Sequence, residues 1–362
     1  MSVVFNLKKK DVLTKSKCLI CDSKKLKKIS EVYYKNSFVF FSTSLCKNCG
    51  YVFRNKHPSN QWFSNQFKKR SKYQKNKSLG VNEDYEKFRL KRYKKLLIFL
   101  EKKIKFKEVI DIGCATGTGL KEFNKKGYKT TGIDTDKTRV NYGRKNNINL
   151  INSDIYKFSK SKKYDLVLCI HSLEHFAKPE TALKKMSKLM HQKSFIYIEV
   201  PDFKNTVTCW NDSVYLAHIS NFSENNLLYL LKKNNLNPLF RLYPQTDNGE
   251  INIGILCGKL NKKEKTKNNK LIKKIPNTSK YNLIGNKKKI NLPYQINLNL
   301  INDISFSFKP KGIKSYAYKE NYKSDLNFNN LIKKYEIDEK LNYFETKKIK
   351  FRKNLIYKKY NI

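Results

Sequence analysis

The sequence predicts a doubly wound α/β domain over residues 107–258. A small metal-stapled β module precedes it, and an extension of undefined fold follows. Three observations carry this reading. Val109–Ile112 is a β-branched, apolar run that opens into a glycine-rich turn, Gly113-Cys114-Ala115-Thr116-Gly117-Thr118-Gly119, and then a helical pattern. Strand and helix patterns alternate after it, with acids where strands end. Near the start of the chain stand two C-x-x-C pairs.

Those pairs, Cys18/Cys21 and Cys46/Cys49, are separated by 24 residues. A C-x-x-C turn places two thiolates on one side of the chain, and two such knuckles complete a tetrahedral Zn²⁺ site. Four thiolates close the coordination sphere, which predicts a structural metal over residues 1–60. Gly50 supplies backbone freedom beside the second knuckle. The intervening Val32–Tyr34 and Phe38–Phe41 and the following Tyr51–Phe53 are β-prone. Cys114, Cys169, Cys209 and Cys257 stand alone in apolar contexts and read as core residues.

Residues 61–106 form a basic, aromatic lead-in. From Glu83 to Lys103, Tyr85, Phe88, Tyr93, Leu96, Leu97 and Leu100 recur at helical spacing, the apolar stripe of a packed helix. In the central domain, strands are expected at Val109–Ile112, Lys129–Asp134, Ile148–Ile151, Tyr164–Ile170 and Phe195–Val200. Helices are expected from about Gly119 to Lys126 and from Pro179 to Met190. Ser223–Leu231 reads as a serine-capped helix, and Leu239–Tyr243 with Ile251–Cys257 as an antiparallel edge pair. Residues 259–289 hold 12 lysines against the single acid Glu264, a linker composition. Residues 290–362 contain β-like Ile304–Phe308 and a helical pattern near Leu331–Leu341.

The net charge is +47, from 77 Lys+Arg against 30 Asp+Glu. Residues 107–257 carry 22 basic against 15 acidic residues, so the surplus lies mostly in the flanks. Such flanks suit RNA, an anionic surface or a nucleotide-linked substrate, or they are solvated, lysine-biased surface. Lysine far outnumbers arginine, which disfavours stacked, bidentate RNA readout. No apolar run reaches membrane-span length, and the N-terminal segment lacks a signal-like apolar region, so a cytoplasmic location is expected.

The glycine turn admits a ligand-facing reading: glycines let the backbone approach a ligand, with the N–H groups of the next helix pointing at it. From Gly113 the G-x-G-x-x-G fingerprint fails, because Ala115 and Thr118 occupy its later glycine positions. A phosphate loop fails as well, because Leu120 follows Gly119. What remains is D-x-G-x-x-x-G-x-G with Asp111 at the strand end. Asp134, 23 residues on, stands where a ribose-binding carboxylate belongs, and its two oxygens can accept from both ribose hydroxyls. Asp154 can accept from an adenine amino group while Ile155 covers a ring face. His171-Ser172-Leu173-Glu174-His175 matches H-x-x-E-H, but at a strand end before Pro179 rather than in a continuous helix, and with no evident third ligand.

The two C-x-x-C pairs, Asp111-Ile112-Gly113-Cys114-x-x-Gly117, Gly132-Ile133-Asp134 and Leu173-Glu174-His175-Phe176 with Pro179 together resemble class I S-adenosylmethionine (SAM) methyltransferases that carry an N-terminal zinc ribbon. These include sugar methyltransferases of deoxysugar and surface-polysaccharide pathways. Tyr215–Ser223 is similar to the Tyr-His-Glu-His-Leu-Ser-Tyr-Phe-Ser stretch of deoxysugar C-methyltransferases, with Leu216 and Ala217 replacing a histidine and the glutamate. The resemblance covers about residues 18–258. It implies a Rossmann-like sheet and SAM and Zn²⁺ as cofactors. It places Asp111, Gly113, Cys114, Gly117, Asp134, Asp154, Ile155 and His171 on the cofactor side. His218, Tyr215, His175 and Glu174 fall on the acceptor side.

The missing carboxylate weakens the machinery for removing a proton beside a carbonyl, which favours O- over C-methylation. His218 is the expected base, against a plain loop histidine bonded to backbone. The leading expectation is methyl transfer to a sugar or nucleotide-linked sugar. An RNA methyltransferase gripping its substrate through ribbon and flanks is the alternative, although the fourth strand lacks the Asn/Asp-Pro-Pro-Tyr/Phe motif of base-amino methylation. A scaffold that merely retains the fold is the non-enzymatic alternative.

Overall fold

The computed structural model describes residues 8–34, 38–59, 62, 83–159, 161–203, 218–242, 244, 252–260 and 313–317. Strands β1 (Val12–Thr14), β2 (Leu26–Tyr34), β3 (Phe38–Cys46) and β4 (Val52–Pro58) make the N-terminal module. Helix α1 (Glu83–Lys103) follows, with the bounds its periodicity predicts. Acids Glu83, Asp84 and Glu86 in its first turn and Lys102 and Lys103 in its last complement the helix dipole.

The central domain runs β5 (Glu108–Ile112), α2 (Leu120–Lys125), β6 (Lys129–Asp134), α3 (Lys137–Lys145), β7 (Leu150–Asn152) and β8 (Tyr164–Ile170). After a 3₁₀ turn at Leu173–His175 come α4 (Pro179–Lys188), β9 (Met190–Pro201), β10 (Ser220–Asn221), α5 (Glu224–Lys233), β11 (Leu236–Leu242) and β12 (Asn252–Lys259). A last strand, β13, spans Ile313–Ala317. Several boundaries differ from expectation. The edge strand expected from Leu239 begins at Leu236, its partner runs on to Lys259, and α2 is one residue shorter at each end. Two further differences have a local cause. The third central strand begins at Leu150, because Ile148 still lies in the turn where its N–H donates to Gly143. The fifth starts at Met190, because α4 stops at Lys188 and the chain pairs at once with β8.

The large sheet has the order β11-β12-β9-β8-β5-β6-β7. Strands β5 to β9 are parallel, and β12 and β11 close one edge antiparallel, as the sequence predicts. The chain winds outward from β5 to β7, then returns to lay β8 beside β5. In such sheets a ligand crevice opens at that reversal, beyond the carboxyl ends of the strands.

Strand alternation sorts the side chains onto two faces. Leu166, Leu168 and Ile170 of β8 pack with Val109, Tyr197 and Leu256 under the α1 residues Tyr93, Leu96, Leu97 and Leu100. Val167 and Cys169 face the other way and join Ile110, Ile112, Ile196 and Ile198. Each such fully buried aliphatic side chain contributes about 1.5–3 kcal/mol. The same alternation puts Asp111 on the face of Val109, and Glu199 on the face of Tyr197. Both acids therefore lie beneath α1.

The small sheet is antiparallel, in the order β1-β4-β3-β2-β13, with β10 also paired to β4. It shares a core with the large sheet: Cys18, Ile20, Cys46, Cys49, Tyr51 and Phe53 belong to the cluster that holds Leu227, Leu230, Leu231 and Phe222. Among the described residues, no helix is long and apolar enough to cross a membrane. Ile304–Phe308 and the helical pattern near Leu331 lie outside the described residues.

Candidate active site and metal centre

The glycine turn obeys its own packing before it serves any ligand. Gly113 and Gly117 adopt left-handed backbone, at φ 78° and 69°. A Cβ on Gly113 would overlap Ser172 Oγ at the end of β8, and one on Gly117 would press on the Leu150 side chain. The glycines thus let neighbouring strand ends close on one another, a reason additional to close approach by a ligand. The expectation that α2 aims free N–H groups at the site is corrected. Leu120, Lys121 and Glu122 donate to the Gly117, Thr118 and Gly119 carbonyls, so the six-residue helix has spent them on its own turn. Cys114 is buried among Leu120, Val140, Ile148 and Leu150.

Asp111, Asp134 and Asp154 come together at the carboxyl ends of three adjacent strands. Asp111 accepts the Tyr93 hydroxyl at 2.8 Å on Oδ2, while its buried Oδ1 has no hydrogen-bond partner. Burial raises its carboxyl to about 6, opposed by the Tyr93 hydrogen bond and Arg89. Asp134 spans the turn, its Oδ2 accepting Ala115 N–H at 2.7 Å and its Oδ1 accepting Asp136 N–H at 2.8 Å. Each of its oxygens keeps lone-pair capacity for a diol. Asp154 Oδ1 accepts Tyr156 N–H at 2.9 Å, and Ile155 is buried in the core beside it. An orphaned buried carboxylate oxygen and an acid-lined strand-end crevice fit a cationic nucleoside such as SAM.

Beyond β8 the second group assembles. His171 takes φ 49°, turning the chain into the 3₁₀ segment. Glu174 is 1% exposed, and three imidazoles converge on its Oε1: His171 Nδ1 at 3.7 Å, His218 Nε2 at 3.9 Å and His175 Nε2 at 4.0 Å. The His175 and His218 rings meet edge to face, their centroids 4.7 Å apart. The H-x-x-E-H match therefore has a nearby third group after all, supplied 43 positions past His175 by His218. Tyr215 lies outside the described residues.

Sequence reasoning missed the polar face of α1. Arg92 pairs with Glu199, which also accepts the Tyr197 hydroxyl at 2.7 Å and lies 3.8 Å from His171 Nε2. Burial would raise the Glu199 carboxyl, but Arg92, His171 and Tyr197 hold it at about 2. Burial, with the Arg92 charge, pushes His171 down to about 4, so that imidazole is neutral near pH 7. Arg89 donates to the Cys114 carbonyl at 2.9 Å, and Glu86 accepts from the Thr116 hydroxyl at 2.6 Å. The available signal was Glu86, Arg89 and Arg92 recurring every three residues beside the apolar stripe.

The four thiols converge as expected. Cys18 and Cys49 Sγ are 3.6 Å apart, Cys21 and Cys46 Sγ 3.5 Å apart, and all four lie within 4.8 Å of one another. A disulfide needs about 2.05 Å, whereas a tetrahedral zinc thiolate site separates its sulfurs by about 3.8 Å. The donor set and its spacing fit Zn²⁺. The two knuckles share one geometry. Asp22 N–H donates to Cys18 O and Gly50 N–H to Cys46 O, with both donors left-handed at φ 58° and 68°.

This module touches the Glu174 cluster's own segments directly. Arg54 N–H donates to Ile219 O, and Ile219 N–H donates to Glu174 O at 2.9 Å. Ser220 and Asn221 pair with Phe53 and Val52. From α5, Asn226 Nδ2 donates to Cys49 O at 2.7 Å and Lys233 Nζ to Ile20 O at 2.9 Å.

Residues 85–239 match the family model described as a methyltransferase domain. Over 101 residues the chain is 31% identical to (S)-tetrahydroprotoberberine N-methyltransferase of Eschscholzia californica, covering 25% of this chain and 29% of that one. Over 97 residues it is 27% identical to the ubiquinone biosynthesis O-methyltransferase of Rickettsia bellii, covering 25% and 40%. The chain thus spans less than half the length of these curated relatives. Among solved structures it is similar to the N-methyltransferase NodS of Bradyrhizobium japonicum in complex with S-adenosylhomocysteine. That chain is 17% identical with a TM-score of 0.43, covering 55% of this chain and 99% of its own length. With the parallel sheet and its switch point, residues 85–239 match a methyltransferase domain and take the Rossmann-like class I methyltransferase fold.

Proposed function

We propose that this protein transfers a methyl group from SAM to an oxygen or nitrogen nucleophile on a small acceptor, with a sugar hydroxyl the first class to test. The observation that carries the reading is the buried Glu174 carboxylate ringed by His171, His175 and His218, next to the acid-lined strand ends. SAM supplies an activated methyl on a sulfonium, so the chain's task is to align, to exclude water and to manage one proton. Asp134 offers its carboxylate to the ribose diol and Asp154 its own to the adenine amino group. His218, 12% exposed and 3.9 Å from Glu174, takes the acceptor's proton as the new bond forms, and Glu174 steadies the imidazolium. The N- and O-methyltransferase names of the relatives support a heteroatom acceptor, and the Tyr215–Ser223 resemblance supports a sugar.

The test is SAM binding by calorimetry, followed by turnover on a panel of nucleotide sugars, phenols, amines and RNA. Asp134→Ala should abolish measurable SAM binding. His218→Ala should leave SAM affinity within about twofold and lower turnover about 10²–10⁴-fold, the usual worth of a positioned base. Full turnover in His218→Ala would remove the base assignment. Salt-sensitive turnover on RNA alone would move the acceptor to nucleic acid.

A further inference from the structure

We infer that Glu174, His175 and His218 form a second cation site, distinct from the four-cysteine centre, open on one side and suited to a divalent transition ion such as Co²⁺, Ni²⁺ or Zn²⁺. The inference rests on the acceptor-side reading only in its consequence for catalysis. The site itself stands on geometry.

The three ligand atoms, Glu174 Oε1 with one imidazole nitrogen each from His175 and His218, all lie within 4.8 Å of one another. A metal–nitrogen or metal–oxygen bond of about 2.1 Å separates tetrahedral ligands by about 3.4 Å, so closing on an ion asks each side chain to move less than about 1 Å. The backbone already holds the two contributing segments together, because Ile219 N–H, next to His218, donates to the carbonyl of Glu174 itself. His175 N–H donates to Ser172 O, fixing the turn that carries the other two ligands.

The donor chemistry selects the ion. Two imidazoles and one carboxylate suit zinc, cobalt and nickel, whereas magnesium and calcium prefer all-oxygen shells. Glu174 is buried at 1% exposure, where a cation offsets the cost of holding a carboxylate away from water. The His175 side chain is 36% exposed, so the cluster faces solvent on one side. Three protein ligands with one open position is the arrangement that admits water or an acceptor heteroatom to the metal. His171, with Nδ1 3.7 Å from the same Oε1, is placed to orient the carboxylate. The four-cysteine centre differs on every count, being all sulfur and closed.

An ion on the His218 imidazole occupies the nitrogen that would receive the acceptor's proton. Cation loading and the base role therefore exclude one another, and the loaded enzyme turns over more slowly.

The experiment uses the full chain with its cysteine centre already filled with zinc, titrated with Co²⁺ and Ni²⁺. Metal content, visible absorption and SAM binding are followed together. A second metal equivalent should bind, with weak ligand-field bands and no sulfur-to-cobalt charge-transfer band. His218→Ala and Glu174→Gln should each lose that equivalent while retaining the cysteine-bound zinc and SAM binding. His175→Ala, altered on the exposed side, serves if either of those variants fails to fold. His171→Ala should weaken the second equivalent about 10-fold. A single metal equivalent in the wild type, or a second one that survives both His218→Ala and Glu174→Gln, overturns the site. The two readings fail separately. If the second ion binds and turnover rises, the site stands and the base role falls. If no second ion binds while turnover still depends on His218, the site falls and the base role stands.

Discussion

Asp111 shows how one buried group ties stability to function. Its carboxyl lies at about 6 in the folded protein against an ordinary 3.8, because burial outweighs the help of Tyr93 and Arg89, and Asp134 adds repulsion. A folded pKa above the unfolded one means that this group's contribution to stability is complete below about pH 3.8 and disappears as pH rises through 6. Above that the folded chain holds a buried anion, at a cost of up to about 3 kcal/mol. Asp111→Asn removes the cost and keeps an acceptor for the Tyr93 hydroxyl. In denaturant titrations without cofactor, the stability of Asp111→Asn relative to wild type should rise between pH 4 and pH 6 and then level off. A gap independent of pH would show that the carboxyl titrates normally. Asp111 itself was legible in the sequence from its place at a strand end. Its burial was not, because the side chain that covers it comes from α1, outside the motif.

Among the elements, the 218–221 segment and the cysteine module are joined as one piece. β10 pairs with β4, Arg54 and Glu174 grip Ile219 from either side, and Asn226 holds the Cys49 carbonyl. Stripping the metal that the four cysteines would hold should therefore speed hydrogen exchange least at β5 and β6, whose ladder is independent of the ribbon. Protection should be lost first at Ile219–Asn221, with SAM affinity changed far less than turnover. Asn226→Ala should reproduce part of this, at about 1–2 kcal/mol for an unsatisfied buried carbonyl partner. Equal loss of SAM binding and turnover on chelation would show that zinc supports the fold at large rather than this segment. The knuckles and α1 could be read from spacing, since both are local periodicities. The Arg92–Glu199 pair could not, because it joins positions 107 residues apart through a fold not yet formed.

On the scale of the whole molecule, the doubly wound sheet and its antiparallel edge could be read because the alternating pattern leaves few ways to wind a parallel sheet. The three acids followed from it. What stayed hidden was the convergence of His171, His175 and His218 on one carboxylate, since strand ends and a return segment meet only once the sheet is closed.

β13 has a consequence for how the chain tolerates cutting. Ile313–Ala317 lies antiparallel on β2, covering what would otherwise be the outer edge of the ribbon sheet. A chain ending at Leu260 would keep each described site residue, yet uncover the outer edge of β2 along Ser30–Tyr34. Bare edges recruit other strands. That truncated protein should bind SAM like the full chain but self-associate in a concentration-dependent way, visible by sedimentation. The C-terminal tail would then act on its own protein as a solubility device, a built-in chaperone for an edge formed some 280 residues earlier in synthesis.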